Sequence, residues 1–242
     1  MEPIIQIEGL KKKFGDLEVL KNINLTVNKG ENVVIIGKSG QGKSVAIKCI
    51  VGLLEPDEGL LKVFGNDITE LDEKSLRETR TRIGFLFQGG ALYDSMTVRE
   101  NLAFSLKRVL GVKDEAEIET RSKEVLESVG LSDAIDKMPS DLSGGMRKRM
   151  ALARTLIAKP EIILYDEPTT GLDTITSKEI SELILDMQKK YQTTSIIITH
   201  DMPCAKITAD RIEVMNNGEF VAEGTYAQLE KSDDAFVKSF FN

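Results

Sequence analysis

The stretch from Asn32 to Ser44 constrains this chain more than any other. Asn32-Val33-Val34-Ile35-Ile36 is an almost continuous apolar run, as in a strand buried on both faces of a parallel sheet. Gly37-Lys38-Ser39-Gly40-Gln41-Gly42-Lys43-Ser44 follows and fits G-x-x-x-x-G-K-[ST]. A helix is expected from about Lys43 to Leu54, broken by Glu55-Pro56-Asp57-Glu58-Gly59. Strand, glycine loop and helix together make a phosphate cradle. The glycines let the backbone curl so that its N–H groups point at phosphate oxygens. The helix N-terminus adds partial positive charge. Lys43 would reach the β- and γ-phosphates of a nucleotide, and Ser44 would offer its hydroxyl to Mg²⁺. The loop alone leaves transporter, kinase and GTPase open.

A second signal lies at 162–167, where Ile-Ile-Leu-Tyr runs into Asp166 and Glu167. Ligands of open α/β sheets sit beyond the carboxyl ends of the strands. That places Asp166 to hold Mg²⁺, and Glu167 to polarise an attacking water as a general base. Residues 194–199 read as another buried strand. His200, the single histidine, follows it and falls at the same sheet edge. There it could hydrogen-bond a γ-phosphate.

The remaining pattern organises around these signals. Strands are expected at 4–10, 18–27, 60–64 and 83–87, and a hairpin at 211–224 around Asn216-Asn217-Gly218. From about Tyr93 to Ala158 the spacing is helical. Thr97 to Glu100 reads as a capping box, Asp114 as a cap, Gly130 as a stop and Ser143 as the head of a further helix. The expectation is an α/β core made of residues 1–88 and 158–242, with a helical insertion at 89–157. Arg147, Lys148 and Arg149 read as exposed helix charges, and Cys49 as a core residue. Phe236, Phe240 and Phe241 would anchor the C-terminal stretch, either on a neighbouring chain or on the core.

Composition removes several classes. The formal charge of −7 disfavours a nucleic-acid coat. A single histidine excludes a multi-histidine metal site, and two cysteines make no disulfide framework, so a reduced cytoplasmic setting is expected. The start lacks the features of a secretory signal. The longest apolar run, Cys49 to Leu54, is far short of the about 20 residues a spanning helix needs.

Leu142-Ser143-Gly144-Gly145-Met146 resembles the LSGGQ signature of the ATP-binding cassette (ABC) ATPases, and it lies between the phosphate loop and the acidic pair as in that family. The resemblance covers nearly the whole chain, and kinases and small GTPases have no counterpart to it. It implies a P-loop NTPase (RecA-like) core with an N-terminal antiparallel β subdomain and an inserted α-helical subdomain. It implies ATP and Mg²⁺ as cofactors, held by residues 37–44. It further implies Phe14 as the ring stacked on adenine with Val19 beside it, and Gln88 as the Q-loop glutamine serving metal and catalysis. Asp173 matches the D-loop and His200 the switch histidine. Met146 replaces the usual Gln and Phe14 the commoner Tyr. Neither change touches Ser143 or Gly145.

The signature turn is a second helix N-terminus, where Ser143, Gly144 and Gly145 form an anion site. By resemblance that site serves the ATP of a partner in a head-to-tail homodimer. The segment 87–101, Gly42-Lys43-Ser44-Val45, LSGGM and residues 165–173 are similar to the ATPases of MCE-linked (Mla-type) phospholipid transport. That likeness implies separate integral membrane permease chains docked near Gln88 and an MCE-type lipid-binding protein. It also implies a peripheral position on the cytoplasmic face of the inner membrane and no nucleic-acid partner. Some relatives carry a long C-terminal extension that recruits a small regulatory protein; only a short stretch, 234–242, follows the last hairpin and helix here. Two alternatives stand beside this expectation: another small-molecule cargo, and a soluble ABC ATPase acting on ribosomes or DNA.

Overall fold

A computed structural model describes residues 2–241. Three wholly buried strands form its centre: β3 (Asn32–Ile36), β7 (Ile162–Asp166) and β8 (Thr194–Ile198). With β6 (Ile83–Leu86) and β9 (Arg211–Asn216) they pair in parallel, in the order β9-β3-β8-β7-β6. Consecutive residues of a strand face opposite sides. Val34 and Ile36 therefore enter one hydrophobic cluster, and Val33 and Ile35 the other.

The second cluster is closed by an antiparallel layer. β1 (Pro3–Phe14) pairs with β2 (Leu17–Asn28) and with β4 (Glu58–Val63), and the short β5 (Asn66–Asp67) pairs with β4. β10 (Glu219–Gly224) folds back on β9 and touches β2, so all ten strands form one curled sheet. Asn217 and Gly218 both have positive φ, as the tight turn expected there requires. The mixed α/β architecture with an antiparallel N-terminal layer agrees with the sequence.

Helices cover the first cluster. The Thr97 capping box opens α3 (Val98–Phe104), which widens into a π turn over Ser105–Val109. Asp114 caps α4 (Glu115–Ser128), and Ser143 caps α5 (Gly144–Leu156). Their apolar residues, among them Leu102, Leu126 and Met150, join Ile163 and Tyr165 of the sheet in one continuous cluster. α6 (Thr174–Tyr191) and α7 (Met202–Thr208) complete that side, followed by the short α8 (Tyr226–Leu229) and α9 (Ala235–Lys238).

β1 runs well past the expected 4–10, and β5, α7 and α9 have no counterpart in the sequence expectation; two helices differ more instructively. α1 (Lys43–Ile50) ends four residues before Leu54, because Gly52 takes a left-handed φ of 69° and turns the chain. α2 (Glu73–Thr81) lies where no helical periodicity is visible. None of its residues is buried; an Asp72 cap and an Arg77–Glu73 pair at 2.7 Å support it instead.

Candidate nucleotide site

Segments far apart in sequence meet beyond the carboxyl ends of the parallel strands. The loop after β3, Gln88 after β6, Asp166 and Glu167 at the end of β7 and His200 after β8 line a cleft of about 710 Å³. Val19, from β2, forms part of its wall.

The glycine loop is shaped as its sequence requires. Gly42 has φ 102°, and a Cβ there would stand 2.8 Å from Leu20 Cδ2 and 2.9 Å from the Val19 carbonyl oxygen. Only glycine fits. Gly42 is also the N-cap of α1, and no side chain caps that end. Its first-turn N–H groups are left for an anion. Lys43 is 7% exposed, and its Nζ donates to the carbonyls of Gly37 (2.7 Å) and Lys38 (3.0 Å). Burial pushes its pKa down, while Glu167 and Asp166 push it back up. The ammonium is thus held over the loop by two weakly competing carbonyls that phosphate oxygens can replace. Gln41 reaches the turn between β9 and β10, where its Oε1 accepts from the Asn217 N–H.

Ser44 Oγ donates to Asp166 Oδ1 at 2.9 Å. A hydroxyl and a carboxylate thus converge beside the phosphate loop, the hard-oxygen donor set that suits Mg²⁺. Among the described residues no cluster of three His, Cys, Asp or Glu side chains could hold a metal. Mg²⁺ bound to a nucleotide needs only one or two protein oxygens, because phosphates and water supply the rest. The residues fit the ion.

Glu167 sits in the left-handed region (φ 52°), with its N–H donating to the Ile198 carbonyl at 2.9 Å. That turn points its carboxylate at His200, whose Nδ1 lies 2.8 Å from Glu167 Oε2. Thr170 Oγ1 donates to the same oxygen at 3.3 Å. The Glu167 side chain is 14% exposed and that of His200 67%, so a shielded carboxylate is paired with an open imidazole.

Other expected residues stand outside this cleft. Phe14 is at the tip of the β1–β2 hairpin, 47% exposed, with Lys12 Nζ 5.6 Å from its ring centroid. Ser143 Oγ accepts from the Met146 N–H at 3.3 Å as the cap of α5. A Cβ on Gly145 would lie 2.7 Å from Thr176 Cγ2, so this glycine lets α5 approach the start of α6. Asp173 caps α6, accepting from Thr176 Oγ1 (2.6 Å) and from the N–H groups of Ile175 and Thr176. Those bonds hold its carboxyl below the usual range. The signature and Asp173 therefore form a second helix-terminus surface, distinct from the cleft. Gly144 lines a groove there with residues 89–92 and 170–172.

Several features carried no usable sequence signal. Ser239 and Phe240 line the cleft, and Lys38 Nζ lies 5.7 Å from the Phe236 ring centroid. The three C-terminal phenylalanines pack on this chain's own core. Their spacing shows an apolar face but not its destination. Of the expected exposed helix charges, Arg147 is exposed while Lys148 and Arg149 are half-buried, and all three are engaged. They donate to the carbonyls of Leu142, Gln88 and Val129, and Arg149 also pairs with Glu179. Cys49 and Cys204 are both buried, which raises each thiol to about 11.

A family model described as ABC transporter matches residues 20–170. The chain is 40% identical over 238 residues to the probable ribonucleotide transport ATP-binding protein mkl of Mycobacterium tuberculosis, covering 98% of itself and 66% of that protein. It is 41% identical over 225 residues to the methionine import ATP-binding protein MetN 4 of Oceanobacillus iheyensis, covering 91% of itself and 65% of that relative. The chain thus spans just under two thirds of these relatives' length. Among solved structures, the dimeric post-hydrolysis state of the ATP-binding cassette MJ0796 with ADP and Pi matches with TM-score 0.83 at 33% identity, over 91% of this chain and 98% of that one. The cbiO1 subunit of a Clostridium perfringens ABC transporter complex matches with TM-score 0.87 at 31% identity, over 95% of this chain and 91% of that one. With the phosphate loop, the acidic pair and the signature in that order on this fold, the chain belongs to the ABC transporter family as one of its ATP-binding cassettes.

Proposed function

We propose that the chain is the ATP-hydrolysing subunit of a membrane lipid (phospholipid) transporter, working as a homodimer that ATP draws together. The convergence of Lys43, Ser44, Asp166, Glu167 and His200 in one cleft carries the hydrolytic part. The loop 37–44 binds the phosphates through backbone N–H groups and Lys43. Val19 and Phe14 flank the adenine. Ser44, Asp166 and Gln88 would hold Mg²⁺, which when bound offsets the charge of the β- and γ-phosphates. Glu167 accepts a proton from the attacking water. His200 hydrogen-bonds the γ-phosphate and keeps the Glu167 carboxylate aimed. Ser143, Gly144 and Gly145 serve the partner chain's ATP, with Asp173 beside that contact.

No helix among the described residues is long and apolar enough to cross a membrane. Transport by this reading needs permease chains, which dock near Gln88 against the small residues Gly89, Gly90 and Ala91. The assembly sits peripherally on the cytoplasmic face of the inner membrane. The lipid cargo and an MCE-type partner rest on the likeness of residues 87–101 and the LSGGM signature to Mla-type ATPases. The names of the two relatives favour a second reading, a nucleotide or amino-acid cargo.

Purifying the native complex and identifying its bound molecules by mass spectrometry separates the two. Phospholipid together with an MCE protein is the expected result. A nucleotide or amino acid with its binding protein, and no lipid, would establish the second reading.

A further inference from the structure

One face of α5 is committed to the loop that carries Gln88. Lys148 Nζ donates to the Gln88 carbonyl at 2.5 Å. Arg154 donates to the Ala91 carbonyl and lies 4.7 Å from the Tyr93 ring centroid. Between them Ala151 backs Gly90, where an added Cβ would come within 3.3 Å of Ala151 Cβ. The spacing 148, 151, 154 keeps these side chains on one side of the helix. The loop they follow is irregular, with Gly90 and Ala91 both in the left-handed region at φ 77° and 49°. Backbone carbonyls outside regular structure need partners, and here α5 supplies them as charged donors. Lys148 also lies in the field of Glu167, which opposes the lowering of its pKa by burial. The same helix begins at Ser143.

We infer that Lys148 and Arg154 bind the Gln88 loop and the signature helix into one rigid piece, with Lys148 as the positioning residue that holds Gln88 at the cleft and carries it along whenever α5 moves. The effect of Lys148 on catalysis runs through Gln88, so this inference rests on the ATPase reading above. The existence of the tie does not.

The test compares Lys148→Met and Lys148→Arg, each with and without Gln88→Ala, in the assembled transporter. Thermal melts first establish that each chain is folded. Lys148→Met is expected to lower kcat about tenfold while KM for ATP changes less than about twofold. Lys148→Arg, which still donates to a carbonyl, restores most of the rate. In the Gln88→Ala background Lys148→Met adds nothing further, as for two changes on one path. Hydrogen exchange at residues 88–92 rises in Lys148→Met, while that of the phosphate loop stays unchanged. Arg154→Met, which removes the other tie, raises exchange at the same residues and serves should Lys148→Met not fold. Unchanged kcat in a folded Lys148→Met chain, losses additive with Gln88→Ala, or unchanged exchange at 88–92 would overturn the inference. If the wild-type complex hydrolyses no ATP, the ATPase reading fails, and hydrogen exchange still decides whether the tie exists.

Discussion

Two helices of this chain start at glycine-rich turns suited to anions, and their surroundings differ. At the start of α1 no side chain occupies the cap, and Lys43, Ser44, Asp166, Glu167 and His200 converge on one cleft. At the start of α5, Ser143 already accepts from its own helix, and Arg147 is turned back to the Leu142 carbonyl. The first turn has charge, metal-suited oxygens and a base. The second has a hydroxyl, backbone N–H groups and a tight seat against α6. In the proposed reading, binding and chemistry are concentrated at one helix start, while the other supplies only half a contact.

The largest effect is expected at the first site. Glu167→Gln removes the proposed proton acceptor but not the phosphate loop, so kcat should fall about 1,000-fold with ATP affinity kept. His200→Ala should likewise abolish steady-state hydrolysis while sparing binding. Single-turnover assays with a binding titration check both; wild-type turnover in either variant would remove that residue from the chemistry.

Next, the two helix starts should respond in opposite ways to substitution. Lys43→Ala should weaken ATP binding by the isolated chain roughly 100-fold, the loss of a charge-assisted contact to phosphate. Ser143→Arg should leave that affinity unchanged and still depress hydrolysis by the assembled protein about 100-fold, as when a preorganised donor is lost. Equal loss of affinity in both variants would erase the distinction between the sites.

The parts of the site that the sequence makes legible are those read by fixed spacing after a buried strand. The phosphate loop follows β3, the acidic pair ends β7, and His200 follows β8. Motif and fold agree there because a parallel sheet places all its carboxyl ends on one edge. Illegible parts depend on contacts between distant segments. Nothing local to Lys148 shows that it will reach a carbonyl sixty residues upstream. Phe236 and Phe240 show an apolar spacing but not that Phe236 lies beside Lys38 and Phe240 lines the cleft. α2 was hidden because its support is a cap and an ion pair rather than a buried stripe.

A smaller effect tests the seat of the second site. Gly145→Val drives a side chain into Thr176 Cγ2 and should cost about 1–3 kcal/mol of stability, measured by denaturant unfolding. A neutral result would mean that α5 and α6 separate easily.

One further effect belongs to neither site and reads only on stability. Glu213, buried on β9 beside Arg211, is pushed by burial from an ordinary 4.5 up to about 7. The folded chain then binds this proton more tightly than the unfolded chain. Its contribution to stability is present below pH 4.5 and is lost as pH rises through about 7. Glu213→Gln should flatten that slope, a difference of up to about 3 kcal/mol between pH 4.5 and 7, and leave ATP affinity untouched.

The division between the two helix starts is tested most directly by mixing two inactive chains. Lys43→Ala lacks the cradle and keeps its signature; Ser143→Arg keeps the cradle and lacks the signature. Co-expressed, half of the random pairs are mixed, and each mixed pair holds one complete site of its two. If ATP lies between chains, hydrolysis should return to about one quarter of the wild-type rate, as symmetric pairing dictates. A mixture as inactive as its two parents would mean that each chain completes its own site, and the head-to-tail arrangement would be wrong.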